Sequence, residues 1–260
     1  MTETFEDKDL RGSRFHKVDL RDSEFRHVNL TGSLFHDIGL KQVRIRDAEL
    51  MDVEISGDLR NVMVNGVDIG PLVEAELDRI YPDRAKMRPT DAQGFRDGYA
   101  LISRLWDGTV ERAQRLDAER LHESVDGEWS FIQTLRHLVF ATESWVHRAV
   151  LGQRAPWDPI SLPWDGASEV PGIPHDREAR PSLEEVLALR EDRRATVRDY
   201  LAGLTQEELD RETPPLEGPG WPPEGRTLVV RQCLGVVLNE EWEHRLYAER
   251  DLAVLERESR

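Results

Sequence analysis

Large apolar residues recur at every fifth position through the start of this chain: Phe5, Leu10, Phe15, Leu20, Phe25, Leu30, Phe35, Leu40, Ile45, Leu50 and Ile55. Two places before most of them stands a small or aliphatic residue, as at Ser13, Val18, Ser23, Val28, Ser33, Ile38, Val43, Ala48 and Val53. The positions between are mostly charged or polar. A five-residue period fits neither the 3.6 of a helix nor the 2 of a strand, so ordinary amphipathic elements are excluded here. Fixed self-similarity predicts instead a stack of turns, each burying its inward residues against its neighbours.

These pentads resemble the pentapeptide-repeat family over about residues 5–59. The resemblance implies a short right-handed quadrilateral β-helix with one pentapeptide per side. Eleven centres shared among four sides give fewer than three coils. The pattern decays by Ile69, so a solenoid over residues 1–69 is expected. A short helix from Pro71 to about Tyr81 and a linker then occupy 70–90, with Pro71 suited to a first helical turn and Pro82 ending it. Some long members of that family mimic DNA, but residues 1–60 hold 10 Lys+Arg against 13 Asp+Glu, a net of about -3. The plainer expectation is a packing or oligomerising appendage.

The full chain of 260 residues has a net charge of -16, which opposes binding to phosphate backbones or anionic membranes. Neither nucleic acid nor a membrane is therefore expected as a partner. No basic segment leads into an apolar run at the start, and no apolar stretch of ~18 residues is present to span a bilayer. Cys233 is the only cysteine, which excludes an intrachain disulfide or a multi-cysteine zinc site. A cytoplasmic protein, monomeric or homodimeric, is the expectation.

Residues 91–260 read as an all-α four-helix bundle. The first helix covers 92–116. The second follows Ser130 as N-cap and runs to Leu151 before Gly152. The third opens on a Ser182–Glu185 capping box and ends near Gly203, and the fourth covers about 228–255. Two connections are rich in Pro and Trp: 152–181, with Trp157 and Trp164, and 213–226, with Trp221. The first is longer than antiparallel neighbours require, which suits a crossing along the bundle. Both read equally as lids over a pocket or as a static cover.

On the fourth helix Val229, Cys233, Val236, Val237, Glu240, His244 and Tyr247 fall within about 60° of one another. A charged Glu240 on such a stripe is expensive unless paired or bound to a cation. With His244 one turn further on, both heads can reach one ion. An open metal site needs at least one more protein ligand. On the second helix His137 stands beside Ser130, Thr134, Ala141 and Ser144, small side chains that leave room for a ligand. Periodicity alone does not select it, since a lone helix histidine is more often a surface or internally satisfied group. Tyr247 and Asp251 are the candidates for supporting a ligand. Cys233 reads as packing, Arg136 as a surface salt-bridge partner, and Glu241 and Glu243 as solvated.

The segments Trp129–Val139 and Asn239–His244 resemble the DinB-like superfamily, over about residues 91–257. That resemblance implies helices in up-down-down-up order and a metal triad falling on His137, Glu240 and His244. The acidic middle ligand is similar to the mycothiol-dependent maleylpyruvate isomerase branch. It implies a divalent metal, zinc in that branch, and a low-molecular-weight thiol such as mycothiol as cofactor. The resulting expectation is a metal-dependent thiol S-transferase or isomerase acting on a small-molecule electrophile. A metal-dependent hydrolase, or a non-catalytic scaffold whose front module binds a partner, are the alternatives.

Overall fold

The computed structural model describes residues 3–36, 38–57 and 59–258. The chain divides into two units, Met1–Met51 and Asp52–Arg260.

The expected β-helix is not formed in the first of these. Among the described residues before Met63 there is no strand. The eleven pentad centres, Phe5 to Ile55, are all between 44% and 70% exposed. The five-residue period does survive in the backbone. Left-handed turns recur at Asp7, Gly12, Lys17, Asp22, His27 and Gly32, then at Gln42, Asp47 and Asp52. Hydrogen bonds within these turns are local, as from Ser13 N to Leu10 O at 3.1 Å and from Ser23 N to Leu20 O at 3.2 Å. Fewer than three coils leave none with a full neighbour on each side. Turn geometry is therefore encoded locally, while the ladder and buried interior of a solenoid are not achieved. His16, His27 and His36 are exposed, like the other described residues of this stretch.

The second unit opens with a two-stranded antiparallel hairpin, β1 (Met63–Val64) and β2 (Val67–Asp68). Asn65 and Gly66 join the strands with φ of 49° and 82°, the positive values that a tight two-residue hairpin turn demands. Helix α1 spans Gly70–Ile80 with Pro71 in its first turn. The bundle follows: α2 (Ala92–Ala113), α3 (Phe131–Thr142), α4 (Leu183–Ala202), a short α5 (Gln206–Asp210) and α6 (Val230–Glu258). Capping boxes start α3 and α4, at Ser130 with Gln133 and Ser182 with Glu185. Helix α3 passes without a break into a π-helical segment, Glu143–Val150, which periodicity does not foretell.

Side-chain packing gives the order of the helices. Helix α2 lies parallel to α6, since a Cβ on Gly98 would meet Leu238 at 3.6 Å and Arg112 pairs with Glu256 at 2.6 Å. It is antiparallel to α4, with Arg96 reaching the Leu201 and Leu204 carbonyls and the Arg190 guanidinium over Trp106. Helix α3 in turn opposes α6, its first-turn Phe131 lying level with Leu252 and its later His137 level with Glu240. The order is up, down, down, up, and the long connection after the π-helical segment is what lets α3 and α4 run the same way. Trp106, Ile102, Leu135, Leu138, Val186, Leu238 and Leu252 fill the core. Among the described residues, no helix is long and apolar enough to cross a membrane.

Candidate metal centre

Helix α3 places His137, and α6 places Glu240 and His244 one turn apart, at a level where the two helices pack. His137 Nε2 lies 3.3 Å from Glu240 Oε2, and His244 Nε2 lies 3.1 Å from the same oxygen. One donor atom from each of the three residues falls within 4.8 Å of the others, and among the described residues theirs is the one such group able to hold an ion. With zinc bonds of ~2.0–2.1 Å, neighbouring corners of a tetrahedron stand about 3.3 Å apart, close to the two short separations here.

The proton positions follow from the partners. His137 Nδ1 is 3.0 Å from the Leu162 carbonyl oxygen. A carbonyl only accepts, so Nδ1 carries the proton and Nε2 presents its lone pair. Burial pushes the His137 pKa down and keeps the ring neutral. Burial alone would raise the pKa of Glu240, but the imidazoles of His137 and His244 beside it outweigh burial and hold the carboxyl well below the usual range. A carboxylate oxygen and an imidazole lone pair thus face each other with no proton of their own between them. That arrangement suits a cation, and by it the donor set fits a metal.

Aromatic rings surround the group. Trp129 sits 4.6 Å from the His137 ring and stacks on His244 at 5.7 Å, its plane nearly parallel at 13°. Its indole nitrogen donates to Asp165 at 3.0 Å. From His137 a chain of rings continues through Phe140 to Trp164 and then Trp221, which joins both Pro-rich connections to the site.

These connections are anchored by two buried arginines that sequence reasoning missed. Arg136, expected on the surface, is fully buried and donates to the Ile160 and Ala179 carbonyls at 2.7 and 3.1 Å, and to that of Asp176. Arg148 donates to the carbonyls of Pro222, Arg154, Glu217 and Gly218 and lies over the Trp157 ring. A guanidinium offers five donors in a rigid fork, enough to tie several carbonyls of an irregular loop at once. The signal available in the sequence is an arginine on the apolar side of a helix.

Tyr247 is exposed, its ring edge-on to His244 at 5.9 Å, with Arg250 over its face. Asp251 is buried and pairs with Arg250 at 2.7 Å; it lines a small cleft with Trp129 and Thr134. Neither has a hydrogen bond to the three clustered residues. Cys233 is buried, and burial pushes its thiol up to about 12. Glu241, expected in solvent, is buried against Arg190 at 2.5 Å. It lies on the α2 and α4 side of the helix rather than outward.

A sequence model of the DinB superfamily matches residues 101–248, a span that contains His137, Glu240 and His244. Searches of curated proteins and of solved structures gave no match.

Proposed function

The chain belongs to the DinB superfamily, and from that premise we propose that His137, Glu240 and His244 hold a divalent metal in an enzyme that couples a small electrophile to a thiol, or isomerises it with one. Two imidazoles and one carboxylate suit zinc, as they do other divalent first-row metals, and three protein ligands leave a position for substrate. A metal so held supplies Lewis acidity, which lowers the pKa of a thiol or water that reaches it.

The observation that carries the reading is the 3.3 Å approach of the His137 Nε2 lone pair to the Glu240 carboxylate. Glu240 brings the negative charge and His244 the second nitrogen. Leu162 fixes the ring of His137. Trp129 covers both imidazoles and limits the water around them. The nucleophile comes from outside the chain, because the one thiol, Cys233, is buried and held protonated. A low-molecular-weight thiol such as mycothiol, meeting a small-molecule electrophile, fits that requirement.

The test is a conjugation assay with a chromogenic electrophile and a low-molecular-weight thiol, on the full chain. The expected result is thiol-dependent turnover that a chelator removes and Glu240→Ala abolishes. Equal rates for the wild type and Glu240→Ala would overturn the proposal. Turnover of ester probes without any thiol would instead indicate a hydrolase, and a bound metal with no turnover a binding scaffold.

A further inference from the structure

The short segment Asp158–Leu162 crosses both Glu143 and His137. From one end of the π-helical segment, the Glu143 carboxylate takes three kinds of donor. Oε2 accepts from Ser161 Oγ at 2.5 Å. Oε1 accepts from Asp158 N at 3.2 Å and from Arg193 Nε, on α4, at 2.9 Å. At the other end, Leu162 N donates to the Arg136 carbonyl at 3.3 Å, and Leu162 O accepts from His137 Nδ1 at 3.0 Å. Between them Ile160 is bound through its own carbonyl to Arg136 and through its N–H to Asp158. Glu143 and Ser161 are both 0% exposed.

A carboxylate buried this completely is costly, and a packed apolar side chain of the same size would fill the space at less expense. Its neighbours one and two turns away on α3 and beyond, Val139, Phe140, Val146 and Val150, are apolar and buried. What the carboxylate does that an apolar group cannot is grip a backbone N–H and a hydroxyl within the four residues that precede the metal centre's own carbonyl. The π-helical winding begins at this residue, and such local rewinding is common at functional sites.

We infer that Glu143 is a positioning residue for the metal centre, acting through Ser161 and Asp158 to hold the Leu162 carbonyl against His137 Nδ1. Resting as it does on the metal reading above, the inference names what decides which imidazole nitrogen is left for the ion. Histidine ligands generally need such a partner to fix tautomer and ring orientation, and losing one lowers metal affinity by about 10–100-fold. Here the partner is a loop carbonyl, and the loop is held in turn by Glu143, itself held by Arg193.

The experiment compares the full-length wild type with Ser161→Ala, Glu143→Ala and Glu143→Gln. Zinc affinity is measured by competition with a chromogenic chelator, and the His137 tautomer of the metal-free protein by long-range proton–nitrogen NMR of the imidazoles. Ser161→Ala removes only a hydroxyl and covers the case in which Glu143→Ala does not fold. Ser161→Ala and Glu143→Ala are expected to lose roughly 10–100-fold in zinc affinity and the single Nδ1–H form of His137. Glu143→Gln, whose amide oxygen can accept from Asp158 N and Arg193 while its NH2 donates to Ser161 Oγ, restores most of both. Unchanged affinity and an unchanged Nδ1–H signal in Ser161→Ala and Glu143→Ala would overturn the inference. If the wild type itself binds no zinc, the metal reading fails, and the tautomer measurement still decides the role of Glu143.

Discussion

Glu240 Oε2 stands 3.1 Å from His244 Nε2 and 3.3 Å from His137 Nε2, so a single carboxylate oxygen bridges two rings carried by different helices. The α3–α6 packing sets this geometry rather than either helix alone. What surrounds the group is equally fixed, and several of its supports can be tested separately.

Gly220 marks the tightest point of the loop tied by Arg148. A Cβ there would come within 2.3 Å of Trp157 Cη2 and 2.7 Å of Arg148 Cζ. Gly220→Ala therefore forces the Arg148 and Trp157 side chains apart, at a cost of about 2 kcal/mol. Urea unfolding checks this; an unaltered midpoint would mean that the loop is looser than its hydrogen bonds indicate.

His147 gives the bundle a pH dependence. It is buried with Nε2 unpartnered, and burial, aided by the Arg193 charge, lowers its pKa below 6.5. Below about 6.5 the unfolded chain takes up a proton that the folded one refuses, so stability is complete above that pH and declines as the pH falls toward the folded value. His147→Gln should flatten the decline. The check is the urea midpoint at pH 7.5 and 5.5, in chelator; an identical decline in both proteins would show that His147 is not its source.

Cys233 should be inert in the folded protein. Fully buried, with its thiol pushed up to about 12, it offers almost no thiolate at neutral pH. A thiol-reactive dye is expected to label it only after denaturation, and Cys233→Ala to keep the site's metal. Rapid labelling of the native chain would reopen the question of an internal nucleophile.

Much of the bundle is legible because its signals are local. Ser130, Ser182 and Gly203 bound helices by capping and backbone chemistry, and the structure has those boundaries within a residue or two. Glu240 stands out as a charge on an apolar stripe. Glu143 carries the same signal, between Val139, Phe140, Val146 and His147, but nothing in the sequence names its loop partners. Arg136 and Glu241 are misplaced by periodicity for a related reason. Long-range pairing with loop carbonyls or with Arg190 decides their burial, and a helical wheel does not see it. The front pentads show the opposite failure. Their period is real in the turns at Asp7, Lys17 and Asp22, yet too few coils exist to turn it into a buried solenoid.

The central claim is that His137, Glu240 and His244 hold a metal, and elemental analysis of protein purified without metal-affinity steps tests it most directly. The expected result is about one transition-metal ion per chain, zinc foremost, lost in His137→Ala and in His244→Ala. An unmutated protein that carries no metal, and whose thermal stability is the same before and after chelation, would contradict it.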